Sequence, residues 1–226
     1  MINFSLLILC AGYGKRMKNL TRDIPKPLLK INDKTLLQNT VNFFYDIGCK
    51  EFFINTHYLH NKIESYVNEN LKNYQINQIY EPTILGTGGA VKNIFNYTNN
   101  KNICVVNCDI FWNTENKIDV FNFLKDINDI KYCKLLLSEK NNFYGLKKNK
   151  GDFTIKEGYV SNWSSDKNIL YYSGLQIVSK NIFQKKVKIF SMNEVWQSLI
   201  VDSKLKGAII PSKILHIGDK NSFDKL

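Results

Sequence analysis

What this chain lacks narrows the field first. Its five cysteines, Cys10, Cys49, Cys104, Cys108 and Cys133, are odd in number and contain no Cys-x-x-Cys, so neither a disulfide framework nor a zinc knuckle is encoded. Reduced, mostly buried thiols are expected instead. No run approaches the roughly 18 apolar residues that a membrane span needs. The apolar start from Ile2 to Cys10 has no Lys or Arg before it and a basic cluster after it, the reverse of a secretory leader. A cytoplasmic location without a membrane partner is therefore expected. Acidic residues are few: 20 Asp and Glu face 31 Lys and Arg, leaving +11 at pH 7 and an appetite for anionic partners. With 44% hydrophobic and 23% charged residues in 226 positions, disorder, collagen and coiled coil are excluded, and one folded domain is expected. No internal repeat or linker divides it.

Periodicity supplies the class. Phe4 to Leu9 is an apolar run ending in small residues, as a parallel strand buried on both faces requires. Lys34 to Ile47 carries Leu36, Leu37, Val41, Phe44 and Tyr45 at helical spacing, with Gly48 placed as a left-handed cap. Strands follow at Glu51 to Asn55, Gln75 to Tyr80, Ile103 to Asn107 and Cys133 to Leu137. Helices fall between them at Leu59 to Leu71, Gly88 to Phe95 and around Asp119 to Ile127. This alternation predicts an α/β, three-layer Rossmann-like sandwich with a mainly parallel mixed sheet. Beyond Ser138 the pattern shifts to short strands at Asp152 to Lys156, Tyr159 to Ser161 and Tyr171 to Val178. The Lys-rich stretch Lys140 to Lys150 reads as a mobile loop. Ser191-Met192-Asn193-Glu194 is a capping box opening a helix with Val195, Leu199, Ile200 and Leu205 on its apolar side.

Chemistry concentrates after the first strand, in Leu9-Cys10-Ala11-Gly12-Tyr13-Gly14-Lys15-Arg16-Met17 and Thr21-Arg22-Asp23-Ile24-Pro25-Lys26-Pro27-Leu28. Two glycines let backbone amides approach phosphate oxygens, where a Cβ would obstruct the turn. A dinucleotide fingerprint would need a third glycine at Met17, and a Walker A loop needs Gly-Lys-Ser/Thr; both are missing. Lys15, Arg16, Lys18, Arg22 and Lys26 can offset several charges of a polyphosphate. Arg16 offers a fork of donors, whereas Lys26, in an extended backbone between two prolines, is a fixed point charge. Asp109, ending an apolar strand, is a carboxylate that needs a cation. His57 and His60 lack a third ligand and read as surface polar residues. Tyr and Phe sit at core-facing spacings and read as packing.

These segments resemble the N-terminal signature of the sugar-1-phosphate nucleotidyltransferases. The order is kept by Leu85-Gly86-Thr87-Gly88-Gly89-Ala90, Val105-Val106-Asn107-Cys108-Asp109, Tyr172-Ser173-Gly174 and Ile214 to Gly218. The short length and Gly151-Asp152-Phe153 look most like N-acetylmuramate-1-phosphate uridylyltransferases of peptidoglycan recycling. The resemblance implies a nucleotide-binding half, 1–138, and a sugar-phosphate-binding half with C-terminal helices, 139–226. It assigns catalysis to Arg16, Lys26 and Asp109, and nucleotide binding to Leu9, Ala11, Gly12, Gly14, Lys15, Gly86, Thr87 and Gly88. Sugar phosphate would be held by Asn107, Ser173 and Gly174, with Mg²⁺ on Asp109 and His216 as a second candidate ligand. Partners would be a nucleoside triphosphate and a sugar 1-phosphate, without nucleic acid, in a monomer or homodimer.

Three departures stand out. Cys108 replaces a usual Gly, Cys10 a usual Ala, and His216 occupies the place of a second acidic metal ligand, although imidazole suits Mg²⁺ poorly. Either Asp109, phosphates and water suffice for the metal, or His216 contacts substrate, or activity is lost. No Glu-Lys-Pro is found, so Asp166 and Lys167 receive no role. The rival readings are a guanylyl- or cytidylyltransferase for mannose, heptose or choline-like phosphates, and a non-catalytic nucleotide- or RNA-binding homologue.

Overall fold

Leu6 and Ile8 face one way from the first strand and Leu7 the other, and this alternation divides the interior into two cores on opposite sides of one sheet. All three side chains are fully buried, each contributing about 1.5–3 kcal/mol relative to exposure. The structure, a computed structural model, describes residues 2–164, 169–183 and 187–224. Asp166 and Lys167 lie outside them.

The chain begins with β1 (Phe4–Leu9) and two 3-10 turns, Lys15–Thr21 and Lys26–Leu28, then the hairpin β2 (Lys30–Ile31) and β3 (Lys34–Thr35). There follow α1 (Leu36–Asp46), β4 (Cys49–Thr56), α2 (His60–Asn70), β5 (Ile76–Tyr80), α3 (Gly86–Ile94), β6 (Asn102–Asn107), β7 (Ile110–Phe111) and α4 (Lys117–Leu124). The second half supplies β8 (Cys133–Glu139), β9 (Phe143–Tyr144), β10 (Phe153–Lys156), β11 (Tyr159–Asn162), β12 (Leu170–Ser179), α5 (Met192–Val201), β13 (Leu205–Ile210), β14 (Ile214–His216) and α6 (Lys220–Phe223).

The main sheet has the order β10-β11-β13-β8-β12-β6-β1-β4-β5. β6, β1, β4 and β5 run parallel, whereas β12 is antiparallel to both β6 and β8. Residues of α1, α2 and α4 pack in one core and those of α3 and α5 in the other, giving the three layers expected. The fold class is the predicted α/β sandwich with a mixed sheet. Because β4 and β6 flank β1 on opposite sides, the chain switches direction there. Such a switch point opens a crevice at the carboxyl ends of the strands.

Several boundaries differ from the expectation for local reasons. The segment from Lys34 begins as strand, and α1 starts only after Thr35, whose hydroxyl accepts from the Gln38 amide at 3.0 Å. Leu205 does not belong to the last long helix: α5 ends at Val201, and Leu205 opens β13, which joins β8 in parallel. Trp196 and Met192 fill the helix face instead. Lys140 to Lys150 is not simply a loop, since Phe143 is buried and β9 pairs with β14. Lys26 lies in a 3-10 turn rather than extended backbone; only Pro25 before it is extended.

Candidate active site

The crevice at the switch point is a cavity of about 540 Å³, walled by the loop after β1, the ends of β4, β5 and β6, and the start of α3. Leu9, Ala11, Gly12, Gly14, Lys15, Arg16, Lys26, Gly86, Thr87, Asn107 and Asp109 all line it. The two loop glycines do different work. At Gly14, φ is +65° and an added Cβ would stand 3.0 Å from the Thr21 methyl, so the turn itself requires glycine. At Gly12 a Cβ would meet no described atom within 4 Å. The turn therefore tolerates a side chain there, contrary to the expectation that a Cβ would obstruct it, and what glycine preserves is open space over the backbone.

Gly88 is placed differently from its expected role. It does not line the cavity, and a Cβ would lie 2.4 Å from the Phe190 ring, so the close packing of the 187–191 segment on α3 claims that space. The Gly88 and Gly89 amides donate to the Phe190 carbonyl, at 3.0 and 3.2 Å, satisfying the helix N-terminus that an anion might otherwise occupy. Ser173 and Gly174 likewise stand behind the cavity wall. Ser173 is fully buried in an irregular stretch of β12, and Gly174, at φ +89°, leaves room for Ile110 and Asn107.

Around Asp109 the charged groups converge. Lys26 Nζ donates to Asp109 Oδ2 at 2.8 Å, Arg16 approaches the same oxygen at 4.0 Å, and His216 Nε2 lies 3.5 Å from it. Burial alone would raise the Asp109 carboxyl, but the His216 ring and the Lys26 ammonium outweigh it and hold the group well below the usual carboxylate range. Of the two, Lys26 has true hydrogen-bond geometry. It is only 14% exposed, whereas Arg16 is 69% exposed. Lys26 is thus committed to the carboxylate, while the Arg16 fork faces the opening.

His216 reaches Asp109 through backbone pairing: β14 pairs with β7, opposing His216 to Ile110, and the Ile217 amide donates to the Asp109 carbonyl at 2.8 Å. A Cβ on Gly218 would stand 2.3 Å from the imidazole, so glycine there makes room for the ring. Among the described residues no group of three or more His, Cys, Asp or Glu side chains forms a cage for a metal. Mg²⁺ is commonly held by one or two carboxylates together with substrate phosphates and water. Asp109 fits that mode. His216 does not, since its nitrogen is the wrong donor and sits beside the carboxylate Lys26 already engages.

Sequence reasoning overlooked the far wall. Glu81, just past β5, is buried at the cavity edge; its Oε1 accepts from Asn55 Nδ2 at 2.8 Å and its Oε2 from the Leu85 amide at 3.0 Å. Asn55 Oδ1 in turn accepts from the Cys10 amide at 2.9 Å. His57, read as a surface residue, belongs to this network. Its Nδ1 donates to the Glu81 carbonyl at 2.7 Å, which leaves Nε2 facing the Tyr13 hydroxyl at 3.2 Å. Tyr13 itself lines the cavity rather than the core. The available signal was position: polar residues ending parallel strands face the crevice.

A second cavity, of about 530 Å³, adjoins the first through Leu9, Thr87 and Asn107. Its walls come from β10, β12 and α5, with Asp152, Tyr172, Trp196 and Gln197 facing it. Asp152 accepts from Lys148 Nζ at 2.8 Å and from the Tyr172 amide at 3.3 Å, and Tyr172 packs edge to face on Trp196. Gly151-Asp152-Phe153, Tyr172 and the Ser191 capping box all reach this wall, but no local pattern shows that separate elements bring them together.

A phosphate-sized loop at a switch point, a cation-bound carboxylate and an adjoining polar cavity define an enzyme of the nucleotide-diphospho-sugar transferase fold. Residues 5–157 match the model of the nucleotidyl transferase family, and the chain belongs to that family. It is similar to D-glycero-α-D-manno-heptose 1-phosphate guanylyltransferase of Campylobacter jejuni, 30% identical over 94% of this chain and 93% of the relative. N-acetylmuramate α-1-phosphate uridylyltransferase of Caulobacter vibrioides is 23% identical, over 94% of this chain and 91% of the relative. Among solved structures, HddC from Yersinia pseudotuberculosis complexed with GMP-PN superposes with a TM-score of 0.77, at 24% identity, covering 98% of this chain and 97% of that one. The protein is a sugar-1-phosphate nucleotidyltransferase. No described helix is long and apolar enough to cross a membrane.

Proposed function

We propose that this enzyme transfers a guanylyl group from GTP to a sugar 1-phosphate of the manno-heptose type, releasing pyrophosphate. The observation that carries the base is Glu81. A carboxylate accepts hydrogen bonds and donates none, and guanine is the common base whose pairing edge presents adjacent donors, N1–H and the N2 amino group. Uracil offers the same charge a single donor, N3–H, flanked by two carbonyl oxygens that it repels. Asn55 and the Leu85 amide fix the carboxylate, so its position is set before the base arrives. The greater identity to the heptose guanylyltransferase supports the same choice. Uridylyl transfer to N-acetylmuramate 1-phosphate, implied by the sequence resemblance, has less support on both counts.

In this reading the triphosphate lies over Gly12, with the open backbone, Lys15 and the Arg16 fork on its oxygens. The sugar occupies the second cavity, where Asp152 and Gln197 meet hydroxyls, and its phosphate passes Asn107. The phosphate oxygen attacks the α-phosphorus and pyrophosphate departs. A phosphate monoester is already an anion, so no protein nucleophile or base is needed, and alignment supplies up to about 7–11 kcal/mol. A magnesium ion held by Asp109 and the phosphates would neutralise charge on the reacting oxygens when bound. Lys26 holds Asp109 in place as that charge moves.

The test is pyrophosphate release with GTP, UTP, CTP and dTTP against heptose, mannose and N-acetylmuramate 1-phosphates. GTP should be preferred, and Glu81→Gln should cut the GTP-to-UTP ratio of kcat/KM by about 10–100-fold. Wild-type preference for UTP would overturn the reading.

A further inference from the structure

Two of the five cysteines occupy the switch point itself. The parallel register ends with Leu9 opposite Asn107, and the residues that follow these two strand ends are Cys10 and Cys108. Neighbouring strands lie about 4.8 Å apart, within the roughly 4.4–6.8 Å between Cα atoms that a disulfide spans. Burial first, and then the neighbouring Cys108 side chain, hold the Cys10 thiol protonated, above its ordinary range. Both side chains are buried, yet both residues line the 540 Å³ cavity and so form part of its floor. Cys49, Cys104 and Cys133 are buried too but lie outside this lining.

We propose that Cys10 and Cys108 form an oxidisable thiol pair, a modification site at which a small-molecule disulfide reagent entering through the nucleotide cavity makes an intramolecular disulfide. One cysteine sulfur attacks the reagent and expels one of its thiols, leaving a mixed disulfide. The second cysteine sulfur attacks the first, the intramolecular S–S bond forms, and the other reagent thiol departs. Two electrons pass from the pair to the reagent, and the two cysteine protons end on the released thiols. Reaction chemistry of this kind is the usual form of disulfide in a reducing compartment, transient and reversible.

The geometry gives the bond a consequence. Cys10 directly precedes Ala11 of the phosphate loop and Cys108 directly precedes Asp109, so the link ties together the two segments that flank the reacting phosphates. The Cys10 amide also anchors Asn55, which anchors Glu81. A displacement of about 1 Å at such a site costs on the order of 10²-fold in rate. The pairing of the thiols stands apart from the proposed reaction; only the loss of activity rests on it.

The test is to expose the full chain to oxidised glutathione with and without Mg-GTP, block remaining thiols, and read linked peptides by mass spectrometry beside pyrophosphate release. A Cys10–Cys108 linked peptide, a fall of about 10²-fold in rate, reversal by dithiothreitol and protection by Mg-GTP are expected. Cys10→Ala and Cys108→Ala, each compared with its own untreated rate, should form no linked peptide and lose the sensitivity. A linked peptide with unchanged turnover would overturn the functional consequence and leave the pair. Absence of the linked peptide, or undiminished sensitivity in both variants, would overturn the pair itself, whatever the nucleotide preference proves to be.

Discussion

The two adjoining cavities are nearly equal in volume but are built from different materials. The first is made where parallel strands end, from open backbone at Gly12 and cations on neighbouring turns. The second is made on the antiparallel side of the sheet, from side chains of β10, β12 and α5 that pack on one another. A polyphosphate is a repeating chain of the same anionic oxygens, so backbone amides and a guanidinium recognise it without detailed shape. A sugar is distinguished by where its hydroxyls point, which calls for side chains fixed by their own partners, as Lys148 and the Tyr172 amide fix Asp152. Under the proposed function, rate belongs to the first cavity and selectivity for the acceptor to the second.

Substitutions at Asp109 should separate the cavities most. Asp109→Ala is expected to reduce metal-dependent turnover by at least about 10³-fold. Because Asp109→Ala and Asp109→Asn both leave the nearly buried Lys26 without its counter-charge, a melting curve of each variant checks that the loss is not unfolding. Full activity in either variant would remove Asp109 from the chemistry. Arg16→Ala comes next, with about 10²–10³-fold lost from kcat, since its exposed fork is free to meet charge on the departing pyrophosphate. Its melting temperature should not move, because the 4.0 Å approach to Asp109 is too long to stabilise the fold. Near-normal pyrophosphate release would reassign that loop to solvent.

How much of this was legible in the sequence follows the same division. The first strand, the loop cations and Asp109 lie in short contiguous patterns, and the family resemblance those patterns carry is what joins Arg16, Lys26 and Asp109 in one site. His216 reads in the sequence as the replacement for a second acidic metal ligand or as a substrate contact. Its approach to Asp109 depends on β14 pairing with β7, a long-range contact that no local pattern encodes. Gly88 was assigned to nucleotide because a missing Cβ is visible in sequence while the group that takes its space is not; here that group is Phe190. Leu205 continued a helical spacing by accident, and the strand it opens is specified by its pairing with β8. Glu81 carries no motif, and Asp152 stands in one that gives it no role, because each is placed in part by a residue distant in sequence, Asn55 for Glu81 and Tyr172 for Asp152.

A change in the second cavity should be smaller and of another kind. Asp152→Asn keeps the shape but removes the charge that Lys148 and a sugar hydroxyl share. The expected result is a rise of about 10-fold in KM for the sugar 1-phosphate with KM for the triphosphate unchanged. Equal rises in both would erase the division of labour, and a fall in kcat alone would move Asp152 to the reacting centre.

The smallest effect should belong to a residue outside both cavities. Asp219 caps α6, accepting from the Ser222 amide at 2.9 Å, and pairs with Lys147 at 2.7 Å, next to the Lys148 that serves the second cavity. The Lys147 ammonium first, then the Ser222 amide, hold its carboxyl well below the usual range. A lowered carboxyl contributes stability above its unfolded value near pH 4 and loses that contribution as pH falls towards the folded one. Asp219→Ala should therefore cost about 0.5–2 kcal/mol at pH 7, mostly as a lost cap, because the exposed ion pair is screened. The gap between variant and parent should narrow in acid unfolding below about pH 4, with kcat unchanged at pH 7. A gap that stays constant in acid would mean that the contribution of Asp219 is packing rather than charge, and a lower kcat would extend the second cavity out to α6.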